Sequence, residues 1–418
     1  MEPQPLPRTP EQLRPELSDE QWKAYSRCLS LEKLGGWGIH VPELQEAYSE
    51  DIMAQFTACK VARILGYCLL AAPSKQGCDA LTREILGCAG KAQKLECADK
   101  EEAEMLEPVG QVEAEMLAGL AHLYIYGLTR VFFNPKGRTP ILSPGQSPRG
   151  SFEQAEKRAA DWLLWRRAPY DSLKQLVLLR DDHRCAFTGL LDKSFVGCAP
   201  RQLEFRGKQV NVTGMDVERT KPDLGETYVA HIITKSLSED IEGQSEGVKA
   251  KFQWAKKAVA LIERFGGFSF TELGIHGLDN PLNVFTTSDT PHKQFDALNL
   301  WLVPALDQNR AVIANNTYAP EHSGGDVALK SFGIQKIVKF KEAKTEDGQV
   351  VPPPDPRLLA LHAACAWVLH SSGAIEHVRE FLLREPEPIS LMTEPNAAPE
   401  LHFALEKLQY FRHVSTMA

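Results

Sequence analysis

The chain is poor in the features that announce several common activities. No apolar run is long enough to span a bilayer, and the first residues, Met1-Glu-Pro-Gln-Pro, are polar rather than a leader-like apolar segment. Membrane insertion and secretion are therefore not expected. There is no Gly-rich phosphate loop, no Ser nucleophile elbow and no CxxC pair, which sets aside P-loop nucleotide hydrolysis, α/β-hydrolase chemistry and dithiol redox work. No compact Lys/Arg cluster is found, and the formal net charge is −8. Nine cysteines, an odd number without a zinc or disulfide spacing, point to a reducing intracellular compartment, cytoplasm or nucleus. The series Cys59, Cys68, Cys78, Cys88 and Cys97 keeps to no single helix face and is read as core-facing residues.

What is present is a normal globular composition, 43% hydrophobic and 24% charged, over 418 residues. That length is too great for one ordinary core and predicts two or three packed units. Ser18 is a helix cap and Gly35-Gly36 a break; apolar patterns over 52–70, 79–86 and 112–128 give an all-helical N-terminal region ending near residue 133. Residues 134–151, rich in Pro, Gly and Ser, read as a linker. A helical, locally basic stretch follows. It carries Arg158, Arg166, Arg167, Lys174 and Arg180 with Trp162, Trp165 and Tyr170 interleaved, and is either a phosphate-tracking surface or a solvated helix face over core tryptophans.

The informative stretch comes in two halves. Tyr228-Val-Ala-His231-Ile-Ile is β-prone and carries a His near its end; Asn283 opens a second β-prone run, Val284–Thr287. Ser288 and Asp289 are natural N-caps, Pro291 suits a first turn, and His292 and Asp296 then share one helix face. Strand, strand and helix place a His beside a His/Asp pair. Between the halves, residues 238–279 form an insertion with a helix over 248–265, read as a lid, a duplex contact or a surface helix. Residues 201–212 alternate as a hairpin about Gly207. Downstream, 298–304 and 334–341 read as strands, 346–348 as a turn, 351–357 as a stiff linker, and 358–369, 375–383 and 399–411 as tail helices. His362 and His370 lack partners at ligand spacing and are read as structural.

Arg180-Asp-Asp-His-Arg-Cys185-Ala-Phe-Thr188-Gly189, Ala230-His231-Ile-Ile, Asn283, His292 and Phe295-Asp296 together resemble the HNH nuclease family, in particular its members from filamentous and mushroom-forming fungi. The resemblance covers about the middle third of the chain. It implies an α+β fold with a small ββα-metal core in an HNH-like domain over 152–350, flanked by helical regions before 133 and over 357–418. It further implies metal-dependent phosphodiester hydrolysis of nucleic acid. Carried over by position, His231 is the general base, Asn283 a catalytic or metal-touching residue, and His292 and Asp296 the helix ligands of one divalent cation, Mg²⁺, Mn²⁺, Ni²⁺ or Zn²⁺. Two positions depart from the family. Ala230 stands where many relatives carry an acidic ligand, and Thr188 stands where a second zinc-binding thiolate would follow Cys185. A scaffold with altered chemistry, binding a partner or acting on a small molecule, is the alternative.

Overall fold

Helices and strands are mixed in the computed structural model, which describes residues 1–9, 17–36, 38–39, 57–96, 109–132, 150–164, 173–196, 224–345 and 347–384. In chain order the helices are α1 (Asp19–Glu32), α2 (Ala58–Ala71), α3 (Lys75–Glu96), α4 (Gln111–Leu123), α5 (Gly150–Leu164) and α6 (Leu173–Arg180). After them come α7 (Glu246–Gly266), α8 (Asp289–Asp296), α9 (Gly325–Ser331), α10 (Pro356–Ser372) and α11 (Ala374–Arg384). The strands are β1 (Leu191–Asp192), β2 (Leu224–Gly225), β3 (Thr227–His231), β4 (Val284–Ser288), β5 (Leu300–Pro304), β6 (Thr317–His322), β7 (Val338–Lys339), β8 (Ala343–Lys344) and β9 (Val350–Val351). The fold is α+β, as expected.

Local chemistry sets the helix starts. The Ser18 hydroxyl accepts from the Gln21 N–H while the Gln21 side chain accepts from the Ser18 N–H, a reciprocal cap that satisfies two amides of α1. Thr57 caps α2, and Asp355 accepts from the Arg357 N–H to start α10. α2 is apolar nearly all round, and such a helix is stable only when neighbours cover every face. It packs against α1, α4 and α10. α3 and α7 cross so closely that a Cβ at Gly77 would lie 1.9 Å from the Phe265 carbonyl oxygen, so only glycine fits there. α4 runs on through a π-helical turn, Tyr124–Leu128, and a 3₁₀ turn, Thr129–Phe132.

The strands lie beyond this helical layer. β3 pairs antiparallel with β4, β5 with β6 and β6 with β7, and β8 and β9 form a hairpin. α10 lies between the two layers, against α2 on one side and β5 on the other. Buried apolar residues from Leu6 to Val378 form one continuous cluster, so the expected boundaries near 133 and 357 mark no break in the core. Residues 351–357 are correspondingly not a free linker: Val351 belongs to β9, and Pro354 and Asp355 are buried. Of the strand expected over 334–341, only Val338–Lys339 pairs. The segment 334–337 instead leaves α9 through a turn. The expected hairpin over 201–212, most of the linker over 134–151 and the helix over 399–411 lie outside the described residues.

Candidate active site around His231

β3 and β4 run antiparallel with His231 opposite Val284 and Thr227 opposite Ser288, and α8 follows β4 without a gap. The ladder continues past the strand ends, because the Ile232 N–H donates to the Asn283 carbonyl at 2.8 Å. The Asn283 side chain then acts as a surrogate peptide. Its Oδ1 accepts from the Ile233 N–H at 2.9 Å, and its Nδ2 donates to the carbonyls of Ile233 at 2.9 Å and Leu278 at 3.0 Å. The residue is 0% exposed. Both ends of this buried amide hold backbone, which gives Asn283 a positioning role.

Pinning Leu278 fixes the next residue. Asp279 meets His231, with Oδ1 3.0 Å from Nε2, and its other oxygen takes Lys235 Nζ at 2.9 Å. The hydrogen bond from His231, helped by that from Lys235, holds the Asp279 carboxyl down at about 2, so it is ionised at neutral pH and accepts the Nε2 proton. The basic lone pair of His231 is thereby left on Nδ1. All three side chains keep partial access to solvent. Asp279 and Lys235 escaped the sequence reading, since Asp279 lies 48 residues from His231 across the insertion and only the Asn-Pro after it hinted at a turn.

On α8, His292 and Asp296 share one face as expected, with Nε2 and Oδ2 3.5 Å apart. Two ligands each about 2.1 Å from one ion, at tetrahedral or octahedral angles, lie about 3.0–3.4 Å apart, so the pair is spaced to chelate. Burial, aided by the nearby positive charge that His231 gains on protonation, pushes His292 down to about 4 and keeps its ring neutral, the form a metal needs. The Tyr228 ring lies 6.3 Å away. Among the described residues no group of three or more His, Cys, Asp or Glu is placed to hold a metal ion, so the chain offers two donors here and no closed cage.

α8 is held firmly from below. Phe295 packs edge-on against Phe285 and is stacked at 3.7 Å on His362 of α10. His362 Nε2 lies 3.2 Å from the Phe295 carbonyl and His370 Nε2 2.9 Å from that of Leu298. Burial drives these rings down to about 3 and about 4, so each is neutral and donates Nε2–H to a carbonyl near the helix C-terminus. Both histidines are structural, as expected.

The basic stretch divides. Lys174 and Arg158 are exposed, whereas Arg166 and Arg167 lie outside the described residues. Arg180 is not a surface cation: its side chain is 0% exposed. It donates to the carbonyls of Pro281, Val284 and Pro352 and to the Asp181 carboxylate, and Asp181 in turn accepts from the Thr286 N–H at 2.7 Å. Five fixed N–H bonds, three to carbonyls and two to the Asp181 carboxylate, make Arg180 a clamp on β4 and its neighbours, which corrects the nucleic-acid role. Cys185 is buried as expected. Burial raises its thiol, but hydrogen bonds from Ser288 and Thr188 to the sulfur outweigh that and lower it. Gly189 adopts φ 72°, the left-handed region that glycine enters without strain. The insertion helix α7 is a core element, burying Ala255, Ala258, Val259, Leu261, Ile262 and Phe265 against α3 and α5, with Lys251 and Lys256 paired to Asp240 and Glu156.

Among the described residues no helix is long and apolar enough to cross a membrane. Comparison of the chain with protein-family models, curated proteins and solved structures finds no match.

Proposed function

We propose that this chain hydrolyses phosphodiesters of nucleic acid at an HNH-like ββα-metal site made by β3, β4 and α8. One observation carries the reading: a partly exposed His231, held by the ionised Asp279, ends a strand beside a helix whose His292 and Asp296 are spaced to share an ion. In this reading Nδ1 of His231 takes a proton from water as the oxygen attacks phosphorus, and the P–O bond to the leaving oxygen breaks. Asp279 holds the ring in that tautomer and offsets the positive charge the imidazole gains, while Lys235 keeps the carboxylate in place. Asn283 fixes the loop that carries Asp279. His292 and Asp296 would hold a divalent cation, Mg²⁺, Mn²⁺, Ni²⁺ or Zn²⁺, with water and substrate phosphate completing its shell. Such an ion supplies charge stabilisation at the phosphate oxygens.

A second reading has its own support. With Ala230 in place of an acidic residue and Asn283 consumed by backbone, a two-donor set suits a scaffold whose chemistry has changed to binding. Plasmid nicking with Mg²⁺, Mn²⁺ and Ni²⁺, alongside calorimetric metal titration of wild type and His292→Ala, separates the two. The expected result is nicking that His231→Ala lowers by about 10²- to 10⁴-fold with an unchanged melting temperature, and metal binding that His292→Ala removes. Metal binding without nicking supports the scaffold reading, and equal nicking by His231→Ala overturns the hydrolase.

A further inference from the structure

Away from the His231 site, α3, α5 and α7 line a cleft of about 640 Å³, with Phe268, Ser269 and Glu272 also at its wall. Its size is that of sites for small organic ligands. Ala80, Ala155 and Ala260, one from each helix, border it and are themselves buried.

The charges that line the cleft are equal in number and unequal in commitment. Glu84 is paired with Arg264 and accepts from the Tyr124 hydroxyl. Glu263 accepts from Ser269 Oγ and the Phe270 N–H, and Glu272 from the Ser269 N–H and Arg357. Every carboxylate thus has a partner within the chain. Arg83 and Arg158, exposed on α3 and α5, make no hydrogen bond or ion pair with any described residue. In a chain of net charge −8, two uncommitted guanidinium groups on the same concavity are a local cationic site.

We propose that this cleft binds a small phosphate monoester, its phosphate held by Arg83 and Arg158 and its body lying in the space between α3, α5 and α7. The planar guanidinium matches phosphate oxygens two at a time, which a Lys pair would not, and the cleft has room for a ring or short chain. The limited volume favours a small ligand over a polymer.

The test is isothermal titration of the full chain with adenosine 5′-monophosphate, with unphosphorylated adenosine and with a short single-stranded oligonucleotide carrying no terminal phosphate. The monophosphate is expected to bind, adenosine to bind about tenfold more weakly or worse, and Arg83→Glu and Arg158→Glu each to weaken the monophosphate by about tenfold or more. Arg310→Glu, on an exposed loop elsewhere, should leave it unchanged, and so should His231→Ala, which keeps this outcome separate from that of the hydrolase reading. Equal affinity in the arginine variants, no affinity for the monophosphate, or binding of the oligonucleotide alone each overturns the proposal.

Discussion

Two charged clusters flank the segment from Asp279 to Thr286, and they use the same chemistry to opposite ends. In one, Arg180 and Asp181 are sealed from solvent and spend their contacts on each other and on backbone, that of β4 included. In the other, Asp279, His231 and Lys235 keep partial access to water, and one imidazole nitrogen is left uncommitted by the triad. A buried ion pair with all partners supplied fixes geometry, whereas a half-solvated one can exchange protons with a substrate. The first cluster holds still the strand on which the second depends.

That contrast can be broken most forcefully at Arg180. Arg180→Ala strands Asp181 as an uncompensated buried charge and orphans three carbonyls, so urea denaturation should register a loss of about 3–5 kcal/mol. Retention of wild-type stability would show that the clamp is dispensable. Acidification should come next in size. His122, His362, His370 and His377 are buried and held neutral, at about 3 to about 4, whereas an unfolded chain protonates them near 6.5. Below about pH 6.5 the unfolded state binds more protons, so stability is full above that pH and falls towards pH 4, each ring contributing up to about 1.4 kcal/mol per pH unit. Denaturation curves at pH 7.5 and 5 measure it, and His362→Phe should flatten the slope.

Asp279→Asn sharpens the other side of the comparison. It should leave the melting temperature nearly unchanged and reduce any nicking by about tenfold or more, through loss of the preferred tautomer. Because the Asp279 carboxyl is depressed to about 2, its ion pair contributes above the ordinary carboxylate pKa of about 3.9, and the small stability gap between wild type and this variant should close as pH falls from about 4 to 2. The smallest effect is expected at Lys174, exposed on α6. Lys174→Glu should alter stability by no more than about 0.5 kcal/mol, and in a filter-binding assay it should weaken retention of an oligonucleotide if that surface tracks phosphates.

The legible parts of the chain were those whose meaning is local. The Ser18 cap, the β-prone stretch carrying His231 and the His292/Asp296 face follow from short-range periodicity and capping, and each is seen in the fold, although the strand stops at His231, short of Ile233. What escaped depends on distance along the chain. Asp279 is brought to His231 only because the Asn283 amide grips Leu278, a link that no pattern in either segment announces. Arg180 resembled a surface cation because charge is visible in sequence and burial is not. Its acceptors are carbonyls of Pro281, Val284 and Pro352, far along the chain and chemically silent as letters. The proline run before α10 looked like a spacer for the same reason, since the packing that buries Pro354 comes from elsewhere in the fold.

The seat of α8 has a consequence in time. The carbonyls of Phe295 and Leu298 are met by imidazoles from α10, made some seventy positions later: 67 residues separate the first pair and 72 the second. As the polypeptide leaves the ribosome, β3, β4 and α8 are all in the open before the helix that steadies them has been translated. A nascent chain halted ahead of residue 356 would carry each candidate site side chain and lack the helix beneath them, so the seating of α8 would be completed only with a late stretch of synthesis.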